Sequence, residues 1–120
     1  MANPQLAPYG RAAREALTGL DAFDTAHGKL VFGENVGQVF AMLSTGNVEL
    51  AFVARSQVVD APGEFSFWPV PAALHEPIHQ DVVLLRRAAT NPAALEFREF
   101  LATQQAREII ARHGYRVDVD

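Results

Sequence analysis

Apolar positions in this 120-residue chain change their period several times, and each change marks an expected element. From Pro8 to about Leu20, the residues Ala13, Ala16, Leu17 and Leu20 recur near the helical period, with Leu6 just ahead. Arg11, Arg14 and Glu15 fall largely off that stripe. Pro8 suits a first helical position, where its fixed φ fits and its missing N–H costs nothing. Tyr9, Gly10 and Arg11 then carry N–H groups without partners inside the helix. Gly19 interrupts the end, and Asp21 is placed to cap a short turn over 21–27 that Gly28 stops. Residues 29–32 (KLVF) are short, β-branched and aromatic, which predicts a buried strand.

The helical period returns at Val36, Val39, Phe40 and Leu43, with Asn35 as N-cap and Thr45-Gly46-Asn47 as the stop. Residues 49–54 (ELAFVA) read as a second strand, and 56–59 as one helical turn. Ala61-Pro62-Gly63 is a turn. Residues 64–70 (EFSFWPV) alternate as an edge strand, since Pro69 cannot donate to a ladder. A linker over 71–77 leads to a strand at 80–86 (QDVVLLR). Asn91 and Pro92 then open a helix whose apolar residues are Leu95, Phe97, Phe100 and Leu101. A second helix over 104–113 ends at Gly114, with Ile109 and Ile110 facing the core. Helices and strands alternating in this way predict an α/β architecture.

Composition narrows the function more than the fold. Hydrophobic residues make up 49% and the net charge is −4, as expected of an ordered globular chain. By length, one domain is the default expectation. The basic residues are nine Arg and Lys29, scattered, with Arg86-Arg87 the only adjacent pair. No basic stripe marks a nucleic-acid or membrane surface. The absence of Cys excludes disulfides, zinc–thiolate sites and thiol catalysis. No apolar run approaches the roughly 18 residues of a membrane span. Residues 1–10 lack the charged-then-apolar pattern of a signal peptide.

His75-Glu76-Pro77-Ile78-His79 has the letters of H-E-x-x-H, a zinc motif that works only on a helix. Pro77 breaks that helix, so the expectation is a polar linker and no cation site. His27 and His113 sit at helix ends. Ser44 and Ser56 lack a nucleophile-elbow context, and Gly33 and Gly37 form no dinucleotide fingerprint. Trp68, with Phe65 and Phe67, reads as core or sheet surface. No catalytic group can be assembled, so the chain is expected not to be an enzyme. What does recur is a loop entering a helix, at Pro8-Tyr9-Gly10 and at Asn35-Val36-Gly37. Each is either a capped surface helix or one half of an anion site. In an α/β sheet both starts would lie at one carboxyl edge. Two converging sets of neutral N–H donors suit a tetrahedral oxyanion.

Four stretches carry a family resemblance: NPQLAPYGRAAREAL (3–17), KLVFGENVGQVFAML (29–43), TGNVELAFVARSQV (45–58) and NPAALEFREFLATQQAREIIARHGYR (91–116). In order and spacing they resemble the C-terminal half of the periplasmic molybdate-binding proteins, the substrate-binding components of molybdate ABC transporters. The resemblance implies an incomplete, periplasmic-binding-protein-like (type II) α/β lobe. Residues 1–79 would be most of the second lobe. Residues 80–120 would be a returning strand and helical pair belonging to the first lobe.

It further implies that molybdate or tungstate is the ligand, held by neutral donors without a cofactor. The second-lobe contacts fall at Tyr9, Val36 and Ala54. Ala54 lacks the hydroxyl that some members have there, so Tyr9 is the expected hydroxyl donor. The implied partner is the transporter permease, and the implied location is the periplasm. With only half the cleft, molybdate binding is expected to be weak, and the exposed C-terminal helices are expected to self-associate. The alternative expectation is a non-catalytic interaction or regulatory domain built on the same fold.

Overall fold

Proline and asparagine set where the helices begin. The computed structural model describes residues 1–59 and 65–117. Among these, six α-helices form: α1 (Pro8–Gly19), α2 (Phe23–His27), α3 (Val36–Ser44), α4 (Arg55–Val58), α5 (Pro92–Leu101) and α6 (Gln104–Arg112). Short 3-10 turns occupy Ala72–Leu74 and Arg86–Ala88. Pro8 and Pro92 stand in the first turns of α1 and α5, as the sequence predicts. Asn35, Asn91 and Thr103 cap α3, α5 and α6, their side-chain oxygens accepting from Gln38, Ala93 and Ala106 N–H.

Three helices end on the same backbone device. At α3, Gly46 (φ 72°) lets its N–H reach the Leu43 carbonyl at 3.0 Å and Asn47 N–H reach Met42 at 2.9 Å. Gly114 (φ 87°) does the same for α6, through Ala111 and Ile110. At α1 the left-handed position is filled by Asp21 (φ 54°), with Asp21 N–H on Thr18 at 3.0 Å and Ala22 N–H on Leu17 at 2.9 Å. Asp21 therefore closes α1 and does not cap the next helix, whose N-cap is Ala22. Short polar side chains tolerate this conformation better than others do, which is why Asp can stand where Gly is usual.

The predicted strands do not form ladders. Residues 29–32, 49–54, 65–70 and 80–85 are all outside regular strands. A single isolated parallel bridge, Ala2 to Gly33, is found among the described residues. Around it, the Met1 ammonium donates to Val31 O at 2.8 Å, Gly33 N–H to Met1 O at 3.1 Å and Asn3 N–H to Gly33 O at 2.8 Å. A strand is stable only when another strand satisfies its backbone, and for most of these segments no such neighbour is present among the described residues. Their apolar side chains stay exposed as a result: Leu50, Val82, Val83 and Trp68 are 60–79% accessible. Trp68 is therefore not core. Residues 61–63, expected as a turn, and Glu64 lie outside the described residues.

The chain divides into two compact units, Met1–His79 and Gln80–Asp120, where length alone suggested one domain. In the first, the core is made mostly of small residues, with Met1 as a larger one: Met1, Ala2, Ala12, Ala13, Ala16, Val39, Ala54 and Val58 are buried. The alanine face of α1 permits close approach, and α1 contacts both α2 and the Ala72–Leu74 turn. Leu6, expected on this stripe, is 67% exposed. In the second unit α5 contacts α6, Phe97 stacks on Phe100 at 6.5 Å, and Ala106 alone is buried among the described residues. Phe97, Phe100 and Ile109 remain exposed. The Arg107 Nε is buried without a hydrogen-bond partner.

Candidate functional site

The two helix starts singled out in the sequence both lie in the first unit, and they are built differently. Ala7 is the N-cap of α1 in extended conformation, with no side-chain acceptor. Its carbonyl takes the N–H groups of both Gly10 (3.0 Å) and Arg11 (3.2 Å). Two of the three N–H groups expected to be open at this start are therefore committed. Gly10 is buried here because residues 2 and 3 cross directly over it: a Cβ at this position would meet Asn3 C at 2.7 Å, and Ala2 O still closer. Tyr9, half-buried in the first turn, lines an apolar cavity of about 900 Å³. The cavity wall also includes Ala13, Leu50, Phe67, Trp68 and Arg55.

At α3 the capping is done by side chains. Asn35 Oδ1 accepts from Gln38 N–H at 2.9 Å, and Gln38 Oε1 accepts in turn from Glu34 N–H at 2.7 Å. These reciprocal bonds fix the turn before the helix, a variant of the capping box displaced by one residue. The N–H groups of Val36 and Gly37 lie ahead of the first intrahelical bond and have no partner among the described residues. Val36 is half-buried and Gly37 exposed. Two adjacent N–H groups at the positive end of a helix dipole can accept an anion without any cationic side chain.

The third predicted position, Ala54, is the buried N-cap of α4, 4% accessible. Its N–H is not open: it donates to Gln57 Oε1 at 2.9 Å. The other end of the same amide, Gln57 Nε2, donates to the Val36 carbonyl at 3.3 Å. Gln57 thus ties the start of α4 to the start of α3. Sequence reasoning missed it, because a glutamine one turn into a short helix has no local signature. Tyr9 shares its cavity with Arg55, the residue after Ala54, but Val36, Ala54 and Gln57 do not line that cavity.

The His75–His79 stretch is not helical, and His75 Nδ1 is engaged with the Glu76 carbonyl at 2.8 Å. Among the described residues no group of three or more His, Cys, Asp or Glu could hold a metal ion. Nor, among the described residues, is any helix long and apolar enough to cross a membrane.

A family model for bacterial extracellular solute-binding proteins matches residues 1–116. The chain belongs to this family. It is 44% identical over 115 residues to the molybdate-binding protein ModA of Rhodobacter capsulatus, covering 96% of this chain and 45% of that protein. It is 42% identical over 118 residues to ModA of Azotobacter vinelandii, covering 96% of this chain and 46% of that protein. The solved periplasmic molybdate-binding protein of Azotobacter vinelandii superposes with a TM-score of 0.86 at 32% identity, over 99% of this chain and 53% of that one. The chain thus spans about half the length of the curated relatives it matches. Its fold is an incomplete α/β lobe of the type II periplasmic-binding-protein kind.

Proposed function

We propose that this chain supplies one jaw of an oxyanion-binding cleft, with molybdate or tungstate as ligand, serving uptake through an ABC transporter. The observation that carries this reading is the 44% and 42% identity to two molybdate-binding proteins over 96% of the chain. That span includes both helix starts. In this reading the Val36 and Gly37 N–H groups bind the anion, Tyr9 adds its hydroxyl, and Ala54 shapes the floor without donating. Neutral donors select a tetrahedral dianion by size and by the count of acceptor lone pairs. Residues 1–79 correspond to most of the second lobe, and 80–120 to a strand and helical pair of the first. The working location is the periplasm, with the transporter permease as partner.

The same reading explains the surface of the second unit, where Phe97, Phe100 and Ile109 stay exposed. We propose that copies of the chain associate through these residues of the C-terminal helices. Light scattering after size exclusion is expected to give a mass above 13.1 kDa; a clean monomer would refute the association.

Calorimetry with molybdate, tungstate and sulfate tests the function. Binding weaker than micromolar is expected from half a cleft. Sub-micromolar affinity would overturn the half-cleft reading. No heat with any of the three at millimolar concentration, alongside a co-purifying protein, would favour an interaction domain on the same fold.

A further inference from the structure

The amide of Gln57 makes two bonds that join positions far apart in sequence. It accepts from Ala54 N–H at 2.9 Å and donates to the Val36 carbonyl at 3.3 Å. The second bond reaches further than it first shows. The Val36 carbonyl and the Gly37 N–H belong to one planar trans peptide, so they point in opposite directions and turn together. A donor that holds the carbonyl therefore also holds the N–H. The Val36 carbonyl, the first of α3, also accepts the intrahelical Phe40 N–H, so Gln57 adds a second donor from outside the helix to a turn already capped by Asn35 and Gln38.

We infer that Gln57 is a positioning residue for the proposed oxyanion site, clamping the Val36–Gly37 peptide so that its N–H is preorganised for the anion. The inference rests on the reading given under the proposed function. Three features favour it over a purely structural bond. Gln57 is half-buried, so water competes weakly for its amide. The atom it holds lies in the same peptide as one of the two open N–H groups. The hydrogen bonds also run head to tail, from Ala54 N–H through the Gln57 amide to the Val36 carbonyl and the Gly37 N–H. Such a chain polarises its last donor and strengthens it toward an acceptor. Preorganised donors are what a small, strongly hydrated anion requires, because donors free to turn lose part of their gain to ordering.

The test is amide-resolved NMR on the 120-residue chain, wild type and Gln57→Leu, with molybdate as the probe. Leucine keeps the bulk and removes both bonds. The expected result without ligand is that Ala54 N–H loses its protection from exchange in Gln57→Leu, while Ala22, whose N–H is held by Leu17 at the end of α1, keeps its own. With molybdate, the titration midpoint read at Val36 and Gly37 is expected to rise on the order of tenfold, the loss typical when the orienting partner of a binding group is removed. Gln57→Glu separates the two bonds. Its carboxylate still accepts from Ala54 N–H but cannot donate to Val36, so protection at Ala54 returns while the midpoint stays high. Equal midpoints in wild type and Gln57→Leu would overturn the inference and leave the binding reading standing. A wild type with no response at Val36 and Gly37 would overturn the binding reading, and the inference with it.

Discussion

The helices α1 and α3 begin with similar ingredients: a turn, a bulky residue and a glycine within the first three positions. Their backbones are used in different ways. At α1 the Ala7 carbonyl absorbs the Gly10 and Arg11 N–H groups, and residues 2 and 3 close over Gly10. At α3 two side chains do the capping, and the Val36 and Gly37 N–H groups have no partner among the described residues. Position for position, both starts commit their third and fourth N–H groups: Gly10 and Arg11 at α1, Gln38 and Val39 at α3. They differ in the first, since Pro8 has no N–H where Val36 has one. The resemblance implies contacts at both Tyr9 and Val36; in the proposed reading the backbone contacts fall to α3 and α1 contributes the Tyr9 side chain.

Substitution of the two glycines should separate these roles most sharply. Gly10→Ala forces a Cβ into the backbone of Ala2 and Asn3, where nothing flexible can yield. A loss of about 2 kcal/mol is expected, in the range for overpacking a tight contact, read as a lower urea midpoint. Gly37→Ala meets only Asn35 Oδ1, at 3.2 Å. The better helix propensity of alanine offsets that squeeze, and stability should change by less than about 0.5 kcal/mol. A similar loss at both glycines would erase the distinction.

Capping changes come next in size. Asn35→Ala removes the acceptor for Gln38 N–H and should lower stability by about 1 kcal/mol. Ala7→Asp runs the other way. Ala7 already has the extended backbone of an N-cap (φ −132°, ψ 133°) and lacks only the side-chain acceptor. A gain of up to about 1 kcal/mol is expected, read by the same denaturation assay. If Ala7→Asp is neutral, the Ala7 carbonyl already satisfies this start in full.

The smallest effect concerns Met1, which anchors the segment over Gly10. Burial holds its amino group below the ordinary value of 8.0. The unfolded chain therefore binds more protons, and stability increases with pH in this window. The contribution is complete above 8.0 and is lost as pH falls from there through the lowered folded-state value. Comparing denaturation midpoints at two pH values, with an N-terminally acetylated chain as control, isolates this term. A control with the same pH slope would assign the effect to other groups.

Helix starts were legible because their signals are local: Pro8, Asn35, Asn91 and Pro92 act within a few residues of themselves. The left-handed Gly46 and Gly114 were legible for the same reason. Asp21 was misread because it serves both as a cap and as a left-handed residue, and only the path of the chain decides which. Strand character at 49–54 and 80–86 was read from β-branched and aromatic content, but a strand needs a neighbour that its own residues do not specify. Gln57 was invisible for a related reason, since one of its two bonds spans 21 residues.

The most direct test of the division between the two starts is an amide-resolved molybdate titration of the wild-type chain, read at both helix starts together. The Val36 and Gly37 N–H resonances should shift with a common midpoint, while Gly10 and Arg11, held by Ala7, stay nearly unmoved. Large shifts at Gly10 and Arg11 with none at Val36 and Gly37 would contradict the account.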